Sequence, residues 1–270
     1  MRFFAVSDIH SFYTPLMNAP KENGFEKDND KHCVIVCGDA FDRGSETLEV
    51  QNFLVELQEK DRLIYICGNH EELLVDLVND LESLSEGLEW SHHYSNGTVK
   101  TLMQLTGMTL SEIKRDPWRA KEYFANTPFV KKLAPEITDY AEIGDYIFVH
   151  GWIPCTNNPK LKPYHINGRQ YEFVKDWREA DCDAWRQARW VNGQEMALVR
   201  GIIEPDKTIV CGHWHCSWGH ALERGVNPES QYECFYGSDA NFSPFKSKGI
   251  IAIDSCVAYT KKINCIVIDV

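Results

Sequence analysis

No stretch of this 270-residue sequence is long and apolar enough to span a bilayer, and the first strand-like run, Arg2–Val6, starts directly behind Met1 with no charged and apolar leader anatomy. Those absences exclude a helical membrane protein and lead to the expectation of a cytoplasmic chain. Basic residues are few against acidic ones, 28 Lys and Arg to 40 Asp and Glu, a net charge of −12. Nonspecific binding to nucleic acid or to an anionic membrane surface is therefore disfavoured, and an anionic substrate needs a local source of positive charge. Bound divalent cations would provide one while offsetting the carboxylates that hold them. There is no internal repeat, no low-complexity tract and no Gly/Ser linker, so the chain reads as one domain, 1–270.

The ten cysteines lack the paired short spacings of a zinc ribbon, although Cys211 and Cys216 leave a zinc reading open. Most sit in apolar runs such as Cys33–Cys37, where positions four apart on a strand are too distant for a disulfide. Reduced thiols acting as small core residues are expected.

What is present is an alternation. Short β-branched runs recur at Phe3–Val6, Cys33–Val36, Leu63–Ile66, Tyr146–Val149, Thr208–Val210, Gly249–Ile253 and Asn264–Ile268. Helical spacing of Leu48, Phe53, Leu54 and Leu57 predicts a helix over Ser45–Glu59 with Ser45 as N-cap, and Leu73, Leu74, Leu77, Val78 and Leu81 predict another over Glu71–Leu84. This is an α/β pattern of mixed sheet and flanking helices. Two stretches break it, 85–135 and 152–205, and are expected to be cap insertions over the strand ends that carry substrate specificity.

Five motifs follow strand runs. Asp8-Ile9-His10 spaces a carboxylate and an imidazole two apart, which on extended backbone aims both one way. In Gly38-Asp39-Ala40-Phe41-Asp42-Arg43-Gly44 the first glycine lets the backbone pass close, Asp39 can bridge two cations, and Arg43 can grip a phosphate with its fork of donors. Gly68-Asn69-His70-Glu71 offers a hard neutral ligand in Asn69 and leaves His70 free for proton transfer. Val149-His150-Gly151 and Gly212-His213-Trp214-His215 complete the set. Each residue alone has an ordinary structural explanation. Together they place candidate ligands at the carboxyl ends of five strands, where open α/β sheets carry their sites.

The order of these motifs resembles the calcineurin-like metallophosphoesterase superfamily. Its Asp-Arg-Gly and Asn-His-Glu forms are most similar to the serine/threonine phosphoprotein phosphatase branch, which includes bacterial and phage enzymes and symmetrical dinucleoside-tetraphosphate hydrolases. The resemblance implies a four-layer α/β/β/α sandwich with helical caps and two divalent metal ions. It implies that Asp8, His10 and His215 hold one ion, Asn69, His150 and His213 the other, and Asp39 both. His70 would be the general acid, oriented by Asp42, with Arg43, Asn69 and a second arginine facing the substrate. Arg189 is the candidate for that arginine and Arg186 its rival. His215 departs from many protein phosphatases and is shared with other branches.

Mixed Asp, Asn and His ligands suit manganese, iron or zinc better than magnesium or calcium. The expected reaction is in-line attack on phosphorus by a metal-bridging hydroxide. The substrate is expected to be a phosphoprotein or small phosphomonoester, the enzyme being most like a serine/threonine protein phosphatase, with a symmetrical dinucleoside tetraphosphate hydrolase or other nucleotide phosphohydrolase as the alternative and an inactive interaction scaffold as the non-enzyme reading. Trp177–Trp190 could pack a cap or face substrate, Trp214 is expected to wall the site, and Glu71 and Glu72 could be helix-start charges or catalytic participants.

Overall fold

The computed structural model describes residues 1–84, 86–157, 171–227 and 232–270. Parts of the two expected insertions, position 85 and residues 158–170, lie outside the described residues.

Eleven strands are described: β1 (Arg2–Val6), β2 (His32–Cys37), β3 (Leu63–Ile66), β4 (Ala141–Ile143), β5 (Tyr146–Phe148), β6 (Cys155–Asn157), β7 (Tyr171–Phe173), β8 (Thr208–Cys211), β9 (Phe245–Ser247), β10 (Ile250–Ala252) and β11 (Ile266–Asp269). All seven runs read from the sequence are among them. One sheet has the order β11-β1-β2-β3, a second β4-β5-β8-β10-β9, and β6 and β7 form a separate pair. In the first, β1, β2 and β3 are parallel and β11 antiparallel; in the second, β5, β8 and β10 are parallel and both edges antiparallel. Phe4 stands beside Val34, and Phe148 beside Val210.

Period-two alternation sorts these strands into layers. Ala5, Ile35, Cys37, Phe148, Val210 and Ile253 point inward and pack the two sheets on each other. Phe4, Val6, Val34 and Val36 point outward into a helical layer on the first sheet, and Ile147, Val149, Ile209 and Cys211 do the same on the second. Because both faces of the central strands are buried, a one-residue slip in register would exchange every side chain between two different cores. The result is two mixed sheets flanked by helices.

Among the helices that flank the first sheet are α1 (Tyr13–Glu22), α2 (Thr47–Gln58) and α3 (Asn69–Asn79). Two boundaries differ from expectation. Ser45 does not cap α2; Glu46 holds the cap position, and its carboxylate is spent on the amide and hydroxyl of Thr14, at 3.3 and 2.8 Å. Helix α3 begins at Asn69, before Glu71, and stops at Asn79, leaving Leu81–Leu84 as a separate turn. Much of the two expected insertions extends the helical layers. Val99, Leu102, Ile113 and Phe124 share the core of Phe4, while Trp177, Trp185 and Met196 share that of Ile147. Among the described residues no helix is long and apolar enough to cross a membrane.

Candidate active site

The parallel strands of each sheet bring their carboxyl ends to one edge, where the motif residues meet. Asp8 and His10 follow β1, Asp39 follows β2, Asn69 and His70 follow β3, His150 follows β5, and His213 and His215 follow β8. A sixth end was missed. Asp254 follows β10 and is buried in the same cavity. The strand-end rule that singled out the other five applies equally to the run ending at Ile253.

Asp8 and His10 share a direction for a reason other than strand alternation. β1 ends at Val6, and both residues occupy left-handed backbone, with φ of 51° and 49°. Asp39, Asp42, Arg43 and His213 do likewise, with φ of 56°, 77°, 57° and 66°. Each such conformation costs about 1–3 kcal/mol for a residue bearing a Cβ and persists only where neighbours enforce it. Here the loops enforce one another: Asp8 N donates to Gly38 O (3.2 Å), His10 N to Asp39 O (2.9 Å) and Gly44 N to His10 O (2.9 Å). Gly38, at φ 80°, is a point of close approach, since a Cβ there would stand 2.5 Å from His150 Nδ1 and 2.7 Å from the Cα of Gly68.

Asp39 stands at the centre. Its carboxylate belongs to two groups whose donor atoms all lie within 4.8 Å of one another, one with His10 and His70, the other with His150 and His213. His10 Nδ1 lies 2.9 Å from Phe41 O, and His150 Nδ1 lies 2.8 Å from Cys37 O. A carbonyl oxygen only accepts, so each Nδ1 carries the proton and each Nε2 turns a lone pair inward. The lone pair of His150 meets Asn69 Oδ1 at 2.8 Å and Asp39 Oδ1 at 3.3 Å. Three acceptors converging without a proton between them form a cradle for a cation. His215 Nδ1 is likewise buried and without a hydrogen-bond partner. Asp8 and His215 line the same cavity outside the two compact groups.

Electrostatics point the same way. Burial pushes the Asp8 carboxyl well above the usual carboxylate range, reinforced by Asp254 and Asp39. Burial pushes His213 down to about 3 and His10 well below an ordinary histidine, so these imidazoles are neutral. Buried like-charged carboxylates beside neutral imidazoles are the donor set of a divalent cation of intermediate softness.

His70 lies within reach of Asp39 but is engaged by a second carboxylate. Its Nδ1 lies 2.6 Å from Asp42 Oδ2, and Thr98 and Thr101 each donate a hydroxyl to Asp42 at 2.7 Å. Asp42, with both oxygens occupied, therefore receives the Nδ1 proton and leaves Nε2 facing the cavity, 3.4 Å from Arg43 Nη2. Burial opposes the imidazolium, but the charge of Asp39 and the bond to Asp42 overcome it and raise His70 above an ordinary histidine. Thr98 and Thr101 come from the expected cap segment and were not singled out in the sequence.

Glu71 proves to be a loop tie. Buried, it accepts the amides of Asp39 and Ala40 at 2.9 Å, the amide of Gly68 at 2.8 Å and the hydroxyl of Tyr65 at 2.8 Å. Arg189 is placed elsewhere. Its guanidinium is paired with Glu72 and Asp139 and lines a different cavity, with its rival Arg186 bound to Asp76 at 2.7 Å. Neither arginine is brought to the His/Asp cluster, because carboxylates of α3 and of the loop before β4 claim them first. The Trp-rich segment divides: Trp177 and Trp185 are core, whereas Trp190 is half exposed and stands edge-on to His213 at 5.8 Å. With Trp214, Phe235 and Tyr236 it walls a cavity of about 380 Å³ over Asp39.

A family model described as calcineurin-like phosphoesterase matches residues 1–217. The asymmetrical bis(5'-nucleosyl)-tetraphosphatase PrpE of Bacillus velezensis is 23% identical over 266 residues, covering 96% of this chain and 95% of that one. The crystal structure of a cold-active protein-tyrosine phosphatase of a psychrophilic Shewanella species superposes with a TM-score of 0.50 at 15% identity, over 99% of this chain and 75% of that one. A protein serine/threonine phosphatase of Saccharomyces cerevisiae gives 0.44 at 15% identity, over 79% and 61%. With the family match spanning most of the chain and its five motifs gathered at one sheet edge, the protein belongs to the calcineurin-like phosphoesterase family.

Proposed function

We propose that this phosphoesterase hydrolyses a nucleoside polyphosphate, using divalent cations held around Asp39 and a proton delivered by His70. The observation that carries the reaction is the Asp42–His70 pair standing beside the convergent acceptors of Asp39, Asn69 and His150. An inactive scaffold needs neither a proton donor nor the carboxylate that orients it.

Asp8, His10 and His215 are assigned to one cation, Asn69, His150 and His213 to a second, and Asp39 to both, with manganese, iron or zinc as the metals that suit these donors. When bound, such cations supply Lewis acidity, lowering the pKa of a water and neutralising charge on the phosphoryl oxygens. Arg43, exposed at the cavity, would present planar N–H groups to those oxygens, with Asn69 in the same lining. His70 gives its Nε2 proton to the departing oxygen. Asp42 keeps the Nδ1 proton in place and stabilises the ring while it is charged.

The substrate class rests on two observations. Trp190, Trp214, Phe235 and Tyr236 line the cavity, an aromatic wall suited to a planar base, and the relative matched over 95% of its length is a nucleosyl tetraphosphatase. A phosphoserine or phosphothreonine ester is the second reading, favoured by the Asp42-Arg43-Gly44 and Asn69-His70-Glu71 forms. Manganese-loaded protein assayed in parallel on a dinucleoside tetraphosphate, a phosphoserine peptide and 4-nitrophenyl phosphate separates them. A higher kcat/KM for the tetraphosphate is expected; a higher value for the peptide would overturn the nucleotide assignment.

A further inference from the structure

A second cavity, of about 570 Å³, adjoins the first. Arg43, Asn96 and Ala258 line both, and beyond them the second is walled by Tyr94, Lys100 and Met103. Two features set it apart from ordinary surface. Arg43 and Lys100 have no carboxylate partner among the described residues, in a chain of net charge −12 whose cations are often paired, as in Lys27–Glu56, Lys114–Glu89 and Arg186–Asp76. Tyr94 is half exposed and makes no ring pairing with another described residue.

The position of Lys100 relative to the reacting centre is built in. Gly97, at φ 91°, turns the chain between helix His92–Asn96 and helix Thr98–Thr106, and its Cα packs so closely on the Arg43 backbone that a Cβ would collide with the Arg43 amide. Thr98 and Thr101, on either side of Lys100 in the helix, are hydrogen-bonded to Asp42, which in turn holds His70. One short element therefore links the cation at Lys100, the cation at Arg43 and the proton donor.

We infer that this cleft receives the part of the substrate beyond the scissile phosphorus: Arg43 and Lys100 pair with successive phosphates of a polyphosphate chain, and Tyr94 stacks on the distal base. The inference rests on the nucleotide reading above and adds a specificity element to it. A local pair of cations without carboxylate partners is what a strongly acidic protein requires to hold a polyanion, and base–aromatic stacking tolerates any base. The consequence is a preference for substrates with several linked phosphates over simple monoesters, set by residues 94 and 100.

The test uses full-length, manganese-loaded protein and a methylene-bridged, nonhydrolysable diadenosine tetraphosphate as the probe, with Kd measured by calorimetry. Lys100→Gln and Tyr94→Ala alter exposed side chains, and matched melting curves establish that both variants are folded. Each is expected to raise Kd about tenfold, and raising salt is expected to weaken the wild type more steeply than Lys100→Gln. Equal Kd values in wild type and both variants, or no binding by the wild type, would overturn the cleft. A Lys100-dependent gain for an acidic phosphopeptide larger than that for the probe would overturn it as well. Lys100-dependent binding of the probe, joined to an absence of products from the hydrolysable tetraphosphate, would support the cleft and overturn the proposed reaction, so the two failures are distinct.

Discussion

Glu71 holds the backbone of Asp39: a buried carboxylate on the first turn of α3 accepts the Asp39 amide at 2.9 Å, across 32 residues of sequence. The loop that presents the central ligand candidate is thereby locked to the helix that presents Asn69 and His70. Replacing Glu71 with Gln puts a donor where one oxygen accepted a backbone N–H. A loss of about 3 kcal/mol in stability is expected from the broken charge-assisted bonds. Urea denaturation measures it, and an unshifted midpoint would refute the tie.

His70→Asn should leave cation binding intact and slow the hydrolysis of an alkyl phosphate by about 10²–10⁴-fold, with a much smaller effect on 4-nitrophenyl phosphate, whose leaving group departs without a proton. Thr98→Val and Thr101→Val, which each remove a hydroxyl from Asp42, should follow the same leaving-group pattern at about tenfold. Equal losses on both esters would argue against proton donation by His70.

Asp39→Asn should abolish binding of a cation pair, since this carboxylate is common to both donor groups. Calorimetric titration with manganese reads the stoichiometry. Two cations bound with wild-type affinity would rule out the central role of Asp39.

Arg189→Ala is expected to lower stability by about 1–3 kcal/mol, because it leaves Glu72 and Asp139 without their cation in a partly buried setting. KM for 4-nitrophenyl phosphate should stay within twofold. A tenfold rise would restore Arg189 to the substrate-binding role expected from the sequence.

Burial pushes the thiols of Cys33 up to about 11 and of Cys155 and Cys265 up to about 12. In the unfolded chain these thiols ionise near 9, so above that pH the unfolded state releases protons the folded state retains. Stability is therefore intact below about pH 9 and falls as pH rises toward 11–12, by up to about 1.4 kcal/mol per unit for each thiol. Melting temperatures at pH 8 and 10 test this. Exposed Cys182 should react first with a thiol reagent at pH 8.

The sequence by itself determined β1, β2, β3, β5, β8, β10 and β11 and the candidate ligands after β1, β2, β3, β5 and β8, because β-branched runs and strand termination are local properties of consecutive residues; the short strands β4, β6, β7 and β9 carry no such run. By the same rule Asp254, after β10, was within reach of the sequence. Tertiary structure decided the rest. Thr98 reaches Asp42 across 56 residues and Arg189 reaches Glu72 across 117. No spacing in the chain encodes which of several arginines meets a phosphate and which is neutralised by a carboxylate. Left-handed backbone at Asp8, His10 and Asp39 likewise depends on loops that enforce each other only once the strands are paired. Side-chain chemistry is written along the chain, but the partner that satisfies or frees each group is set by packing between segments far apart in it.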